Sequence, residues 1–187
     1  AAKMFFRGFD VLRETQGMFV FPATSKYHAK GEYGTLKKII EKATSFSYLA
    51  MVPLSILLAI FAPHIFHLLY GNKYDDSILI FRVLLISSAF VPMVMVGMSS
   101  LVGMGKVQSV FKIITFSLII NAVSALILVP TLETTGAAIS YSIAMLIQSV
   151  FVYRTIKKEV PIELPEMFFR GITDGKNFLA DRKLKKD

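Results

Sequence analysis

Four charged residues, Arg7, Asp10, Arg13 and Glu14, interrupt an otherwise apolar opening stretch, with Met4-Phe5-Phe6 before them and Met18-Phe19-Val20-Phe21 after. At about 100° per residue on a helix, Lys3, Arg7, Asp10, Glu14 and Gly17 fall within roughly 80° of one another, with Arg13 just to one side. A stripe of this composition has a definite chemistry. A planar guanidinium donates paired hydrogen bonds to phosphate oxygens, so Arg7 and Arg13 suit an anionic ligand. Pairs such as Arg7–Asp10, a helical turn apart, lower the cost of carrying the charges. Charge at membrane depth is expensive and normally faces a bundle interior or a water-filled cavity. The stripe is therefore expected to line a cavity and contact an anionic ligand. The other reading of the same pattern is one face of an amphipathic cytosolic helix.

The remaining polar residues offer less. Asn121, flanked by Ser117 and Ser124, lies in the middle of a long apolar run. Such groups either hydrogen-bond between helices or line a cavity, and Asn121 is taken as a candidate substrate contact on the second reading. His64 and His67 stand three apart, a spacing that can grip a metal, but no third ligand is near in sequence and an interfacial role is expected. Gly105-Lys106 is followed by Val107 and has no phosphate-cradling glycine loop before it. The chain has no Cys, which removes thiolate metal sites and cysteine nucleophiles. Neither an enzyme activity nor a cofactor or metal site is expected.

The elements that carry these residues are long apolar runs. Of the 187 residues, 54% are hydrophobic and 18% charged, and the mean hydropathy is +0.58. A soluble domain has roughly 45–50% and 25%. A bilayer core takes about 20 apolar residues of helix. Four runs fit: about 46–69, with Pro53 and Pro63 inside; 78–104, with Arg82 and Pro92; 109–132, with Lys112 near its start; and 136–153. The expected fold is an all-α integral membrane protein, a helical bundle fragment. It comprises four full transmembrane helices and one partial charged N-terminal helix over 1–22.

The net charge of +8 could signal nucleic acid in a soluble protein. Here the basic residues lie between and after the apolar runs, so membrane lipids are the expected partners and nucleic acid is not. Lys26, Lys30, Lys37, Lys38 and Lys42 precede the first span, and Lys73 follows it beside Asp75 and Asp76. Lys106 fills the next turn, Glu133 the one after, and Arg154, Lys157 and Lys158 follow the last span. This alternation puts both ends of the four-span unit in the cytoplasm of a multi-pass protein of the cytoplasmic membrane. Arg82 and Lys112, near span ends, are expected to snorkel to the headgroups. Residues 23–45 are expected to form a cytoplasmic amphipathic loop or helix, with Leu36, Ile39, Ile40 and Ala43 at helical spacing. Residues 156–187 read as a basic cytoplasmic tail, broken at Pro161 and Pro165.

Several weak signals recur in one order: "LLYGNKYDDSILIFRVLLI", with its turn at Gly71; "LVGMGKVQSVFKIITFSLIINAVSALILVP", with Gly105-Lys106, Asn121 and Pro130; and "GAAISYSIAMLIQSV", opening on Gly136-Ala137-Ala138. Over about residues 1–155 this resembles the C-terminal part of a polysaccharide (O-antigen-type) flippase. That family lies in the multidrug/oligosaccharidyl-lipid/polysaccharide exporter superfamily, with the multidrug exporters and the lipid II flippase. One departure is visible: such proteins often carry an extra glycine just before Gly-Ala-Ala, where this chain has Leu132-Glu133-Thr134-Thr135. The resemblance implies a transporter of twelve or fourteen spans, of which the chain would be the last third to half. The partners would then be the remaining helices, membrane lipids and a lipid-linked oligosaccharide. The oligosaccharide would be flipped by alternating access at a cavity contacted by Arg7, Asp10, Arg13, Glu14 and Asn121. The alternatives are a cation-coupled multidrug exporter of the same superfamily and a non-transporting membrane scaffold for glycan assembly.

Overall fold

The computed structural model describes residues 19–71, 75–163 and 165–167. These residues form helices and no strand: α1 over 19–29, then α2 (Tyr33–Tyr70), α3 (Asp75–Ser87), α4 (Val91–Gly103) and α5 (Val107–Glu159). The protein is an all-α membrane protein. α2 and α5 are each long and apolar enough to cross a bilayer, and α3 with α4 can form one further, bent span. Residues 1–18, with Arg7, Asp10, Arg13 and Glu14, lie outside the described residues, as does the basic end of the chain from 168 onward.

Two turns are closed in the same way. Gly31 (φ 70°) follows α1 and Gly105 (φ 75°) follows α4. The next amide reaches back five residues, Glu32 N–H to Tyr27 O at 3.0 Å and Lys106 N–H to Leu101 O at 2.8 Å. This left-handed glycine closure satisfies carbonyls that a helix end leaves bare. It compresses the α1–α2 connection into residues 30–32. Residues 23–45, expected to form a cytoplasmic amphipathic loop or helix, fall in the rest of α1, the 30–32 connection and the first turns of α2. Nothing between Ile40 and Phe46 breaks a helix, so the helix runs on into the apolar part. Thr44, Ser47 and Ser55 each donate to the carbonyl four residues back, at 2.6–2.8 Å, which lets buried hydroxyls sit in an apolar bundle.

The expected second span is two helices that bend by 44° at the break. Pro92 sits at the start of α4, lacks an N–H, and disfavours helical geometry in the residue before it. The chain crosses the gap in tight turns, with Ser88, Ala89, Phe90 and Val91 each donating to the carbonyl three residues back at 3.0–3.3 Å. The Ser87 hydroxyl donates to Leu84 O at 2.6 Å, and the Ser88 hydroxyl, 2.5 Å from Leu85 O and 2.6 Å from Ser55 Oγ, shares its one proton between those two acceptors. The groups freed by the break are thus paired inside the bundle, the condition for a broken helix at membrane depth.

α5 is a hairpin. A straight helix of its 53 residues would run about 80 Å at 1.5 Å per residue. Yet the rings of Phe116 and Phe151 meet edge to face at 5.2 Å. The chain reverses at Glu133, whose φ of 49° and ψ of −129° are not helical. On Gly136 a Cβ would sit against the Leu128 carbonyl oxygen and 2.6 Å from its carbon. The limb before Glu133 and the limb after it are therefore antiparallel. The second limb ties to α3 through Ser142 Oγ and Val83 O at 3.3 Å.

Two apolar clusters hold the bundle. The larger gathers Val20, Leu36, Ile40, Val96, Leu101, Val152 and Ile156 at the end where α1 and α4 finish and α5 both starts and ends. The smaller, Ala62, Phe66, Phe81 and Leu85, lies at the other end. Packing in the first is close enough to require glycine: a Cβ on Gly97 would collide with the Val152 side chain, and one on Gly103 would lie 2.8 Å from Phe21 O. The segment after α5 is no loose tail at its start. Val160, Ile162 and Met167 are all but fully buried in the larger cluster, so residues 160–163 and 165–167 strap the base of the bundle.

Candidate functional site

The helix break opens a cavity of about 260 Å³ between α2, the α3–α4 junction and both limbs of α5. Helical periodicity selects its walls. Val91, Met95 and Met98 project from one face of α4, and Tyr141, Met145 and Gln148 from one face of the second limb. α2 contributes Met51, the junction Ser87 and Ser88, and the first limb Ile114. Four thioethers, those of Met51, Met95, Met98 and Met145, give an adaptable, polarizable apolar lining. Hydroxyls of Ser87, Ser88, Ser99 and Tyr141 and the Gln148 amide add neutral polar points.

Among the described residues, no Asp, Glu, Lys, Arg or His lines this cavity. These residues suit an apolar chain carrying hydroxyl or amide groups, and none of those described brings a formal charge. One wall is held by a hydrogen bond between Ser55 and Ser88 hydroxyls at 2.6 Å, which ties α2 to the junction. On the far side of that bond a shallower groove of about 220 Å³ runs past Val52, Ala59, Arg82 and Leu85.

The expected site residues are not gathered here. Arg7, Asp10, Arg13 and Glu14 are outside the described residues. Asn121 is half-buried on the first limb and does not line the cavity. Ser117, one turn before it, is buried with its hydroxyl unpaired among the described residues. His64 lies edge-on to Phe61 at 6.2 Å, and no group of three metal-ligating side chains exists among the described residues. Arg82 is exposed, and its Nε donates to Ala59 O at 3.2 Å. Sequence reasoning missed the methionine cavity. Its trace is the spacing of Met95, Met98 and Ser99 downstream of Ser87-Ser88, legible only once the break is known.

Sequence reasoning also missed an ionic cluster at the lysine-rich end. Lys37 lies 3.6 Å from Glu41, 3.3 Å from Glu163 and 3.9 Å from Glu166. Glu41 is fully buried and accepts the Glu163 N–H at 3.2 Å, clamping the strap to α2 ahead of its apolar part. Burial, with the Glu166 carboxyl beside it, holds the Glu41 carboxyl above the ordinary carboxylate range. Desolvation alone would lower Lys37, but the carboxylates around it prevail and raise it. Lys106 and Glu159 pair at 2.8 Å, closing the start of α5 onto its end. Three lysines lie over rings: Lys26 over Tyr27, Lys42 over Phe46 and Lys157 over Tyr153, at 5.6–5.9 Å.

Comparison with known proteins bears on the same elements. The family described as lipid II flippase MurJ matches residues 15–173. An uncharacterized membrane protein of Methanocaldococcus jannaschii is 27% identical over 135 residues, covering 72% of this chain and 27% of its own length. The chain thus spans about a quarter of the curated relative it matches.

Proposed function

The chain belongs to the lipid II flippase MurJ family, and from that premise we propose that it supplies one helical bundle of a transporter that flips a lipid-linked oligosaccharide across the cytoplasmic membrane. The family's description is that of a transporter rather than an enzyme. The observation that carries the reading is the extent of the match, residues 15–173, which takes in every element that walls the methionine cavity. The polysaccharide-type substrate implied by the O-antigen resemblance is a finer assignment within the same chemistry: a polyprenyl chain, a phosphate link and a sugar headgroup.

In this reading the bundle crosses the membrane four times, by α2, by α3 with α4, and by each limb of α5. Its lysine-rich end, with Lys37, Lys38, Lys106, Lys157 and Lys158, faces the cytoplasm, and so does the chain's C-terminal tail. Arg7 and Arg13, balanced by Asp10 and Glu14, contact the anionic link at the face between this bundle and the rest of the transporter. Asn121 contributes a neutral hydrogen bond on that face. The methionine cavity carries no charge on its described walls, and it suits the apolar part of the cargo or the repacking of helices as the transporter alternates. The bend at the α3–α4 junction supports the first role, since discontinuous helices commonly form the binding sites of transporters.

The experiment uses the full-length protein in vesicles, with fluorescent lipid-linked saccharides of the peptidoglycan and polysaccharide types loaded in one leaflet. Transfer of at least one to the other leaflet is expected, and the ratio of the two rates assigns the substrate type. Transfer of neither would sink the transport reading. The Arg7→Ala/Arg13→Ala variant is expected to stop transfer without loss of expression, and normal transfer by it would remove those residues from the site.

A further inference from the structure

Arg82 lies in α3, seven residues after Asp75, so about 10 Å along the helix from its start. A snorkelling arginine at that depth would extend along the helix toward the headgroups. Arg82 instead turns across to α2, where its Nε donates to Ala59 O at 3.2 Å. Ala59 precedes Pro63 by four residues, inside α2. A helical carbonyl is normally bonded by the amide four residues on, and proline has none. The guanidinium therefore reaches the very oxygen that Pro63 deprives of its donor. In hydrocarbon such an oxygen has no water to turn to, so a donor from a neighbouring helix is what makes the proline tolerable.

We propose that Arg82 is a positioning residue: it stands in for the amide missing at Pro63 and so fixes how the Pro63 part of α2 lies against α3. Arginine suits the task because its bond to a carbonyl is charge-assisted and its planar fork loses little freedom on binding. The link has a second rung. Ser55 and Ser88 hydroxyls bond at 2.6 Å about one helical turn further along α2, and the apolar groove of Val52, Ile56, Leu85 and Ile86 lies between and around the two rungs. Ser88 belongs to both the groove and the methionine cavity. Fixing α2 at Ala59 and Ser55 thus sets the position of the cavity wall made by Met51 and Ser88. The inference does not rest on the identity of the transported substrate.

A double-mutant cycle on the full-length protein tests it, read as thermal unfolding in detergent. Arg82→Leu is expected to lower Tm by about 3–6 °C in the native background, the size of a lost charge-assisted hydrogen bond. In the Pro63→Ala background the restored amide can bond Ala59 O, and Arg82→Leu should then change Tm by less than about 1 °C or raise it. Should Arg82→Leu fail to express, Arg82→Gln, which keeps an N–H donor of shorter reach, replaces it with the same dependence on the background. Equal losses in the two backgrounds would overturn the proposal, because a residue that merely packs or snorkels has no reason to know whether residue 63 is proline. No loss in either background would overturn it as well.

Discussion

Replacing Glu133 by glycine should make this protein more stable. The reversal between the limbs of α5 places Glu133 at φ 49°, ψ −129°, a conformation that a Cβ makes costly and glycine adopts freely. Holding a non-glycine residue in such a region costs about 1–3 kcal/mol. Glycine gives back roughly 0.5–1 kcal/mol through the extra freedom of its unfolded chain. The Glu133 side chain is exposed, so its removal costs no packing. The net gain is then about 0–2.5 kcal/mol, centred near 1 kcal/mol, and since the shift per kcal/mol shrinks with size to about 2–4 °C or less, Tm should rise by about 1–3 °C. The assay is circular dichroism melting of the purified full-length protein beside Glu133→Ala, which removes the charge and keeps the strain. Glycine should raise Tm and alanine leave it nearly unchanged. A glycine variant no more stable than the native protein would refute the strained reversal, and an equal gain from alanine would place the effect in the charge. The glycine often found just before Gly-Ala-Ala in related transporters is what this turn would ask for.

Three further outcomes follow from close packing and charge. Gly136→Ala must push its Cβ into the Leu128 carbonyl and should cost about 1–3 kcal/mol. Gly34→Ala, which meets nothing within 4 Å, should be neutral or gain up to about 1 kcal/mol; similar melting temperatures for the two variants would contradict the hairpin. Gly97→Ala should lower Tm through its collision with Val152, and Val152→Ala should recover part of that loss, so simple additivity of the two would count against the α4–α5 contact. Glu41 sets a pH dependence. Its carboxyl is raised from an ordinary 4.5, burial being the main cause, so the folded state binds the proton more tightly than the unfolded one. Stability is therefore greatest below that value and falls as pH rises above it, until the folded carboxyl also ionises. Raised Lys37 contributes stability present below its ordinary 10.5 and is constant across this window. Amide exchange of residues 160–163 and 165–167 between pH 4 and 8 should quicken with pH after correction for intrinsic rates; Glu41→Gln should flatten the trend, and a slope surviving in that variant would exclude Glu41 as its source.

The class of the protein was legible because long apolar runs leave a chain few alternatives in water or lipid. The break at Ser87–Val91 was not legible, since Ser, Ala and Phe are all acceptable in a membrane helix and Pro92 by itself reads as a kink. Only the tight-turn bonding of Ser88 to Val91 shows two helices. The junction at residue 45 between the lysine-bearing segment 23–45 and the first span was not a boundary in the structure: charge does not end a helix, and no glycine or proline follows Gly34 until Pro53, so α2 runs straight through. The methionine cavity was hidden because Met95 and Met145 look like bulk apolar residues until two helix faces are brought together, and that pairing is a property of the packing. The charged stripe of Arg7, Asp10, Arg13 and Glu14 could be seen in sequence alone, and it lies outside the described residues.

Pro63 and Pro92 each remove one amide at membrane depth, yet the bundle handles them differently, and the difference accounts for where its cavity lies. At Pro92 the main chain repairs itself. Val91 N–H takes the Ser88 carbonyl at 3.3 Å, the axis bends by 44°, and side chains that a straight helix would pack outward diverge to leave space. At Pro63 the helix stays continuous and the repair comes from outside, from Arg82, so α2 and α3 are drawn together and only a shallow groove remains. The repair within the chain borders the deeper cavity of about 260 Å³, and the repair between helices borders the shallower groove of about 220 Å³. The Ser55–Ser88 bond stands at the boundary between the two regimes, and removing it with Ser55→Ala should let the groove and the cavity merge. Access of a small apolar thiol reagent to a cysteine placed at Met95 in a cysteine-free full-length protein would report that merger as faster labelling, and labelling at the native rate would mean that the wall does not depend on this bond.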